Sequence, residues 1–154
     1  LANPIPGFLM GIIGLVAKIL PGITISNGIK PSDLSQDDQV IQAYVQDPLV
    51  HDRISLGLAY DMVTTGKNLV LTDEPFPRPL LLMQGSADKV VDTEAVSQFA
   101  KSKASEKLTY HAFQNGYHEL QNEPFKEEIL NIILDWILSQ IGPEAIKRNR
   151  ESGF

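Results

Sequence analysis

Residues 80–88, LLLMQGSAD, and residues 113–121, FQNGYHELQ, decide how this chain folds. The first is a short continuous apolar run of the kind expected of a strand buried on both faces, and it gives way at Gly85 to a polar loop over residues 86–92. The second closes an alternating stretch, residues 107–113, that reads as another strand, and its Asn115-Gly116 turn carries Tyr117 and His118. Between them, residues 93–103 put Val96, Phe99 and Ala100 on one helical face. Pro124 then opens a long helix with an apolar stripe of Phe125, Ile129, Ile132, Ile133, Trp136, Ile137 and Ile141, ended by Gly142-Pro143. Strand, helix, strand, helix predicts the α/β class with a parallel sheet. Two strands do not make such a sheet alone, so the stretch reads as part of a larger fold.

Upstream the character differs. Residues 8–20, FLMGIIGLVAKIL, form a helix apolar nearly all round, which implies burial on several sides or contact with lipid, and Pro21-Gly22 stops it. Its Gly7, Gly11 and Gly14 have a spacing that permits close helix packing, the commoner effect of helical glycines being to loosen the helix. Turn formers at residues 28–38 lead into a weak helix over 36–44; Asp47-Pro48 breaks the chain, and residues 54–63 give an amphipathic helix ending near Gly66. No clear strand stands out in this half. The three prolines of EPFPRP, residues 74–79, mark the boundary, dividing the chain into a helical region at 1–74 and a strand-containing region at 75–154.

Composition narrows the function. The chain has 154 residues, 43% hydrophobic and 21% charged, which suits one compact domain. A net charge of −6 with scattered basic residues disfavours a nucleic-acid partner, whose binding needs clustered Lys and Arg; the short cluster Lys147, Arg148 and Arg150 reads as a solvated tail. With no cysteine there is no disulfide framework, thiolate nucleophile or sulfur-ligated zinc, and a cytoplasmic setting is the expectation. No two histidines have metal spacing, and no cofactor is expected. Residues 5–20 are short for a bilayer span and lack the basic start and the cleavage pattern of a signal peptide.

In an open parallel sheet, functional groups sit in loops leaving the carboxyl ends of strands. Two such loops carry Asp88 and His118, and adjacent strands would bring them together. A carboxylate that orients an imidazole, leaving it able to take a proton from a hydroxyl, is the second half of a nucleophile-base-acid relay. Other candidates have plainer readings: Asp92 as the N-cap of the next helix, His111 within a strand, and His51 with Asp52 in a local hydrogen bond. Ser86 reads as a loop residue beside the acid.

The segments QGSADKVVD and NGYHELQNEP resemble α/β-hydrolases, and in particular the monoacylglycerol lipase and lysophospholipase pattern. LANP at the start, VAKILPGITI and DPLVHDR look like that family's lid region. The resemblance implies a partial α/β-hydrolase fold: a helical lid followed by the last βαβα units of the sheet. It further implies a serine ester hydrolase for monoacylglycerols, lysophospholipids or similar lipid esters, with Asp88 and His118 as the acid and base. Chain order in such enzymes is Ser, Asp, His, and their nucleophile sits in a G-x-S-x-G elbow that this sequence lacks, so the serine is expected on a preceding half outside this chain. This chain alone is expected to be inactive. Phe8, Leu9, Ile12, Ile13 and Leu15 are then expected to line an acyl-chain path or to meet a membrane surface peripherally, the alternative being a core helix. The competing function is a non-catalytic lipid-binding or interaction module, which could dimerise through an exposed strand edge.

Overall fold

The computed structural model of the protein describes residues 5–71, 76–103 and 105–151, with side chains to residue 142. The LANP start, residues 72–75 at the proline-marked boundary and the side chains of Lys147, Arg148 and Arg150 lie outside the described residues.

The helix expected over residues 8–20 runs from Gly7 to Ile19 (α1). A single face of it is buried, through Met10, Gly14 and Ala17, and it packs against α3, Leu56–Leu71. Gly14 is the contact point: a Cβ there would stand 2.7 Å from Cε2 of the Tyr60 ring, whereas a Cβ on Gly7 or Gly11 would meet nothing within 4 Å among the described residues. Of the three glycines, close packing therefore uses one. Burial on several sides does not occur either, since Phe8, Ile12, Leu15 and Ile19 stay exposed on the opposite side. Helix α3 continues past Gly66 by five residues, a glycine inside a helix costing only about 1 kcal/mol relative to Ala.

Contrary to the expectation of helices and turns alone, this half contains two short strands. β1 (Thr24–Ser26) pairs antiparallel with β2 (Arg53–Ser55), with Ile25 opposite Ile54. Arg53 reinforces the pair by donating from its guanidinium to the Thr24 carbonyl and hydroxyl. Three residues are too few for alternation to signal a strand, which is why periodicity passes over them. Between the two strands lie a 3-10 turn, Pro31–Asp33, and helix α2, Asp38–Gln46, capped by Asp37 Oδ1, which accepts from Gln39 N at 2.8 Å.

The second half follows the expected order. β3 (Leu80–Gly85) and β4 (Leu108–Phe113) are parallel and in register from Leu80 opposite Leu108 to Gly85 opposite Phe113. α4 (Thr93–Ser102) connects them, its first turn capped by Asp92 Oδ1, which accepts from Ala95 N at 3.1 Å. β3 differs from expectation in burial: Leu80 to Met83 are half-buried, and only Gln84 and Gly85 are buried. A two-stranded sheet leaves one edge of β3 without a strand neighbour among the described residues.

After β4 the chain makes a second 3-10 turn, Leu120–Asn122, and enters α5, Lys126–Glu151, two residues later than Pro124. At Gly142 the helix is interrupted by φ 74° and ψ 164°, so the glycine bends the element and helix resumes beyond it. The core is Phe113, Leu120 and the fully buried Ile129, with Met83, Phe125, Ile132 and Ile133 around them. The rings of Phe113 and Phe125 stack with centroids 6.4 Å apart. This core occupies the first two turns of the α5 stripe; Ile137 and Ile141, farther along, are exposed.

Candidate active site

The core lies directly beneath the two loops that leave the carboxyl ends of β3 and β4. At those ends the backbones are almost in contact. A Cβ on Gly85 would fall 2.2 Å from the Gly116 carbonyl oxygen and 2.4 Å from that of Tyr117, so only glycine fits at the end of β3. The sheet ladder extends into the loops: Ser86 N donates to Phe113 O at 2.9 Å and Ala87 N to Gly116 O at 2.9 Å. Asn115 takes a left-handed φ of 61°, a conformation asparagine tolerates, and its N–H donates to Ser86 Oγ at 2.8 Å. Ser86 is thus an exposed loop residue whose hydroxyl ties one loop to the other.

These ties bring Asp88 and His118 together. His118 Nδ1 lies 2.9 Å from Asp88 Oδ2. The Asp88 side chain is 3% exposed and that of His118 33%, so the acid is enclosed while the ring reaches solvent. All four strong acceptor directions of the carboxylate are used. Oδ1 accepts from Val90 N at 2.7 Å and Val91 N at 2.9 Å, while Oδ2 accepts from Gln84 Nε2 at 2.9 Å and faces His118. Burial pushes the Asp88 carboxyl up, but the hydrogen bonds from His118, the Val91 and Val90 amides and Gln84 outweigh it, holding the group below the usual carboxylate range. An ionised acid accepting from Nδ1–H fixes the tautomer in which Nε2 carries the free lone pair. Nε2 makes no hydrogen bond among the described residues.

Gln84 had no assigned role in the sequence, although a glutamine closing a run of Leu and Met is a signal in itself: a buried amide must find partners. It finds the Gly85 carbonyl and Asp88. The other histidines stand apart from this cluster. His51 Nδ1 accepts from Arg53 N at 3.2 Å, and His111 lies in β4 with its ring tilted against Phe113. Of the five apolar candidates on α1, Phe8, Leu9, Ile12 and Leu15 are exposed, Phe8 by 72%, and Ile13 is half-buried. Among the described residues they present an exposed apolar surface.

Comparison with known proteins agrees with the fold. The family described as "Serine aminopeptidase, S33" matches residues 1–125. A Dictyostelium discoideum uncharacterized abhydrolase domain-containing protein is 36% identical over 141 residues, 91% of this chain and 15% of its own length. The monoacylglycerol lipase of Mycolicibacterium smegmatis is 27% identical over 134 residues, covering 86% of this chain and 48% of that protein. Among solved structures, the Paleococcus ferrophilus monoacylglycerol lipase superposes with a TM-score of 0.72 at 30% identity, over 88% of this chain and 53% of the other. A soluble variant of monoglyceride lipase from Saccharomyces cerevisiae gives a TM-score of 0.71 at 19% identity, a likeness of fold. The chain spans about half the length of these lipases. Its helices and parallel strand pair form part of an α/β-hydrolase fold, and the chain belongs to the S33 serine aminopeptidase family of hydrolases.

Proposed function

We propose that this chain supplies the base and the acid of a serine hydrolase acting on monoacylglycerols, lysophospholipids or similar lipid esters. His118 is the general base, working through Nε2, and Asp88 holds its ring and stabilises the imidazolium. The observation that carries this is the 2.9 Å approach of His118 Nδ1 to an Asp88 carboxylate that is enclosed and satisfied on both oxygens. In the reaction Nε2 takes the proton from a serine hydroxyl as that oxygen attacks the ester carbonyl, and returns it to the departing alcohol. That serine lies outside this chain, in keeping with the absence of a G-x-S-x-G elbow.

The names of similar proteins support lipid esters as the substrate class. On this assignment residues 1–74 form a lid whose exposed α1 face, Phe8, Leu9, Ile12 and Leu15, meets acyl chains or a membrane surface, and residues 75–154 belong to the hydrolase core. No helix among the described residues is long and apolar enough to cross a membrane.

The test is hydrolysis of a medium-chain monoacylglycerol by the purified chain, alone and after mixing with a half that carries the serine elbow, with a serine-directed phosphonate probe alongside. Turnover and labelling in the mixture, lost in His118→Ala, are expected. Turnover and labelling by this chain alone would overturn the placement of the nucleophile, and a silent mixture would leave a binding module.

A further inference from the structure

Nothing in the Asp88–His118 pair explains what holds the loop around His118, which is neither helix nor strand from Gln114 to Glu119. Besides the ties to Ser86 and Ala87, a second set of hydrogen bonds reaches it from 79 to 87 residues upstream. Leu34 O accepts from Glu119 N at 2.8 Å, directly beside His118. Ser35, fully buried, donates from Oγ to Asn122 O at 2.7 Å. Gln36 donates its backbone N–H to Glu123 Oε1 at 3.1 Å, and its side-chain amide reaches both Glu123 Oε2 and, at 2.9 Å, Asn115 O. Glu123 is 1% exposed, and a carboxylate so enclosed must be matched by donors or it destabilises the fold. The same segment reaches the other loop, where Asp33 pairs with Lys89 at 3.6 Å, next to Asp88 in sequence. Residues 115, 119, 122 and 123 are therefore all fastened to residues 34–36, with His118 in the middle of the fastened span.

We infer that Gln36 and Glu123, with Ser35, are positioning residues: a polar latch through which the 3-10 turn at Pro31–Asp33 and the residues after it set the ring of His118 against Asp88. The inference rests on the assignment of His118 and Asp88 as base and acid. It adds that the helical half of the chain takes part in setting the geometry of the base as well as covering a substrate. Catalytic geometry tolerates little slack, a misplacement of about 1 Å costing on the order of 100-fold in rate, so a base carried on a loop without helix or strand needs such fastening.

The experiment reads the tautomer of His118 by nitrogen NMR in the 15N-labelled chain at about pH 8, where a free imidazole is neutral. In the wild type the Nδ1–H form is expected, with Nε2 at the downfield position of an unprotonated ring nitrogen. Gln36→Glu sets a carboxylate against Glu123 and the Asn115 carbonyl. It is expected to shift the Nε2 resonance upfield towards the protonated form while the β3–β4 amides keep their protection. Adding Glu123→Gln to Gln36→Glu restores an amide opposite a carboxylate and should return most of the signal, which a general loss of stability would not do. Should Gln36→Glu fail to fold, Gln36→Ala removes the amide bonds without adding charge and is read in the same way. A folded Gln36 variant with an unmoved His118 signal overturns the latch. A wild type already in the Nε2–H form overturns the Asp88–His118 assignment itself, and the latch with it.

Discussion

Gly85 and Gly116 meet backbone to backbone at the ends of two adjacent parallel strands, close enough that a methyl group on Gly85 would lie 2.2 Å from the Gly116 carbonyl oxygen. Asp88 stands three residues beyond one glycine and His118 two beyond the other. The 2.9 Å approach of acid to imidazole thus begins in a contact between backbones, with the side chains completing it.

The two glycines are predicted to respond differently to alanine. Gly85→Ala drives a Cβ into backbone that cannot yield, and should cost at least about 3 kcal/mol in urea unfolding. At Gly116 a new Cβ would lie 2.7 Å from Leu120 Cδ2, a core side chain that can shift further than backbone, and 3.2 Å from Gly85 Cα, so a smaller cost of about 1–2 kcal/mol is expected. Equal costs would show that the loop approach does not depend on the close passage at Gly85.

Asp88 predicts a pH signature. Its folded-state carboxyl titrates below the ordinary value, so its ionised form stabilises the fold above the unfolded pKa of about 3.9, and that contribution is lost as pH falls through the lower folded value. From about pH 5 downward, the stability advantage of wild type over Asp88→Asn should therefore shrink. Parallel acid unfolding curves for the two proteins would contradict this.

Gln84→Leu keeps the volume of a strand residue but removes one of the donors to Asp88 Oδ2. Carboxyl-carbon NMR should show the Asp88 midpoint move up, since a bond that favours the ionised form is gone. Thermal unfolding should report a loss of about 1–3 kcal/mol for the less satisfied carboxylate. An unchanged midpoint would mean that the Gln84 amide does not support the acid.

In the helical half, Gly66→Ala is predicted to stabilise by about 0.5–1 kcal/mol, because Gly66 sits exposed inside α3 with nothing within 4 Å of a new Cβ. Gly14→Ala should destabilise, since its Cβ would press on the Tyr60 ring. Chemical unfolding of the two variants checks both signs. A stabilising Gly14→Ala would remove the α1–α3 contact as a constraint on that half.

The sequence by itself determined the α/β class, the order of elements from β3 to α5 and the loops that carry Asp88 and His118, because an apolar run, an alternating run and a stripe at helical spacing are local patterns written into consecutive residues. Asp92 was legible as a cap for the same reason. What only the tertiary structure decided depends on residues far apart in the chain. The strands β1 and β2 exist through their pairing with each other, and three residues carry no period. The exposed side of α1 and the half-buried β3 reflect which neighbours are present, which no pattern within a helix or strand records. Gln36 and Glu123 are ordinary polar residues in a sequence, and their roles come from the fold, which buries the Glu123 carboxylate so that it must be hydrogen-bonded and brings the exposed Gln36 to it across 87 positions of chain.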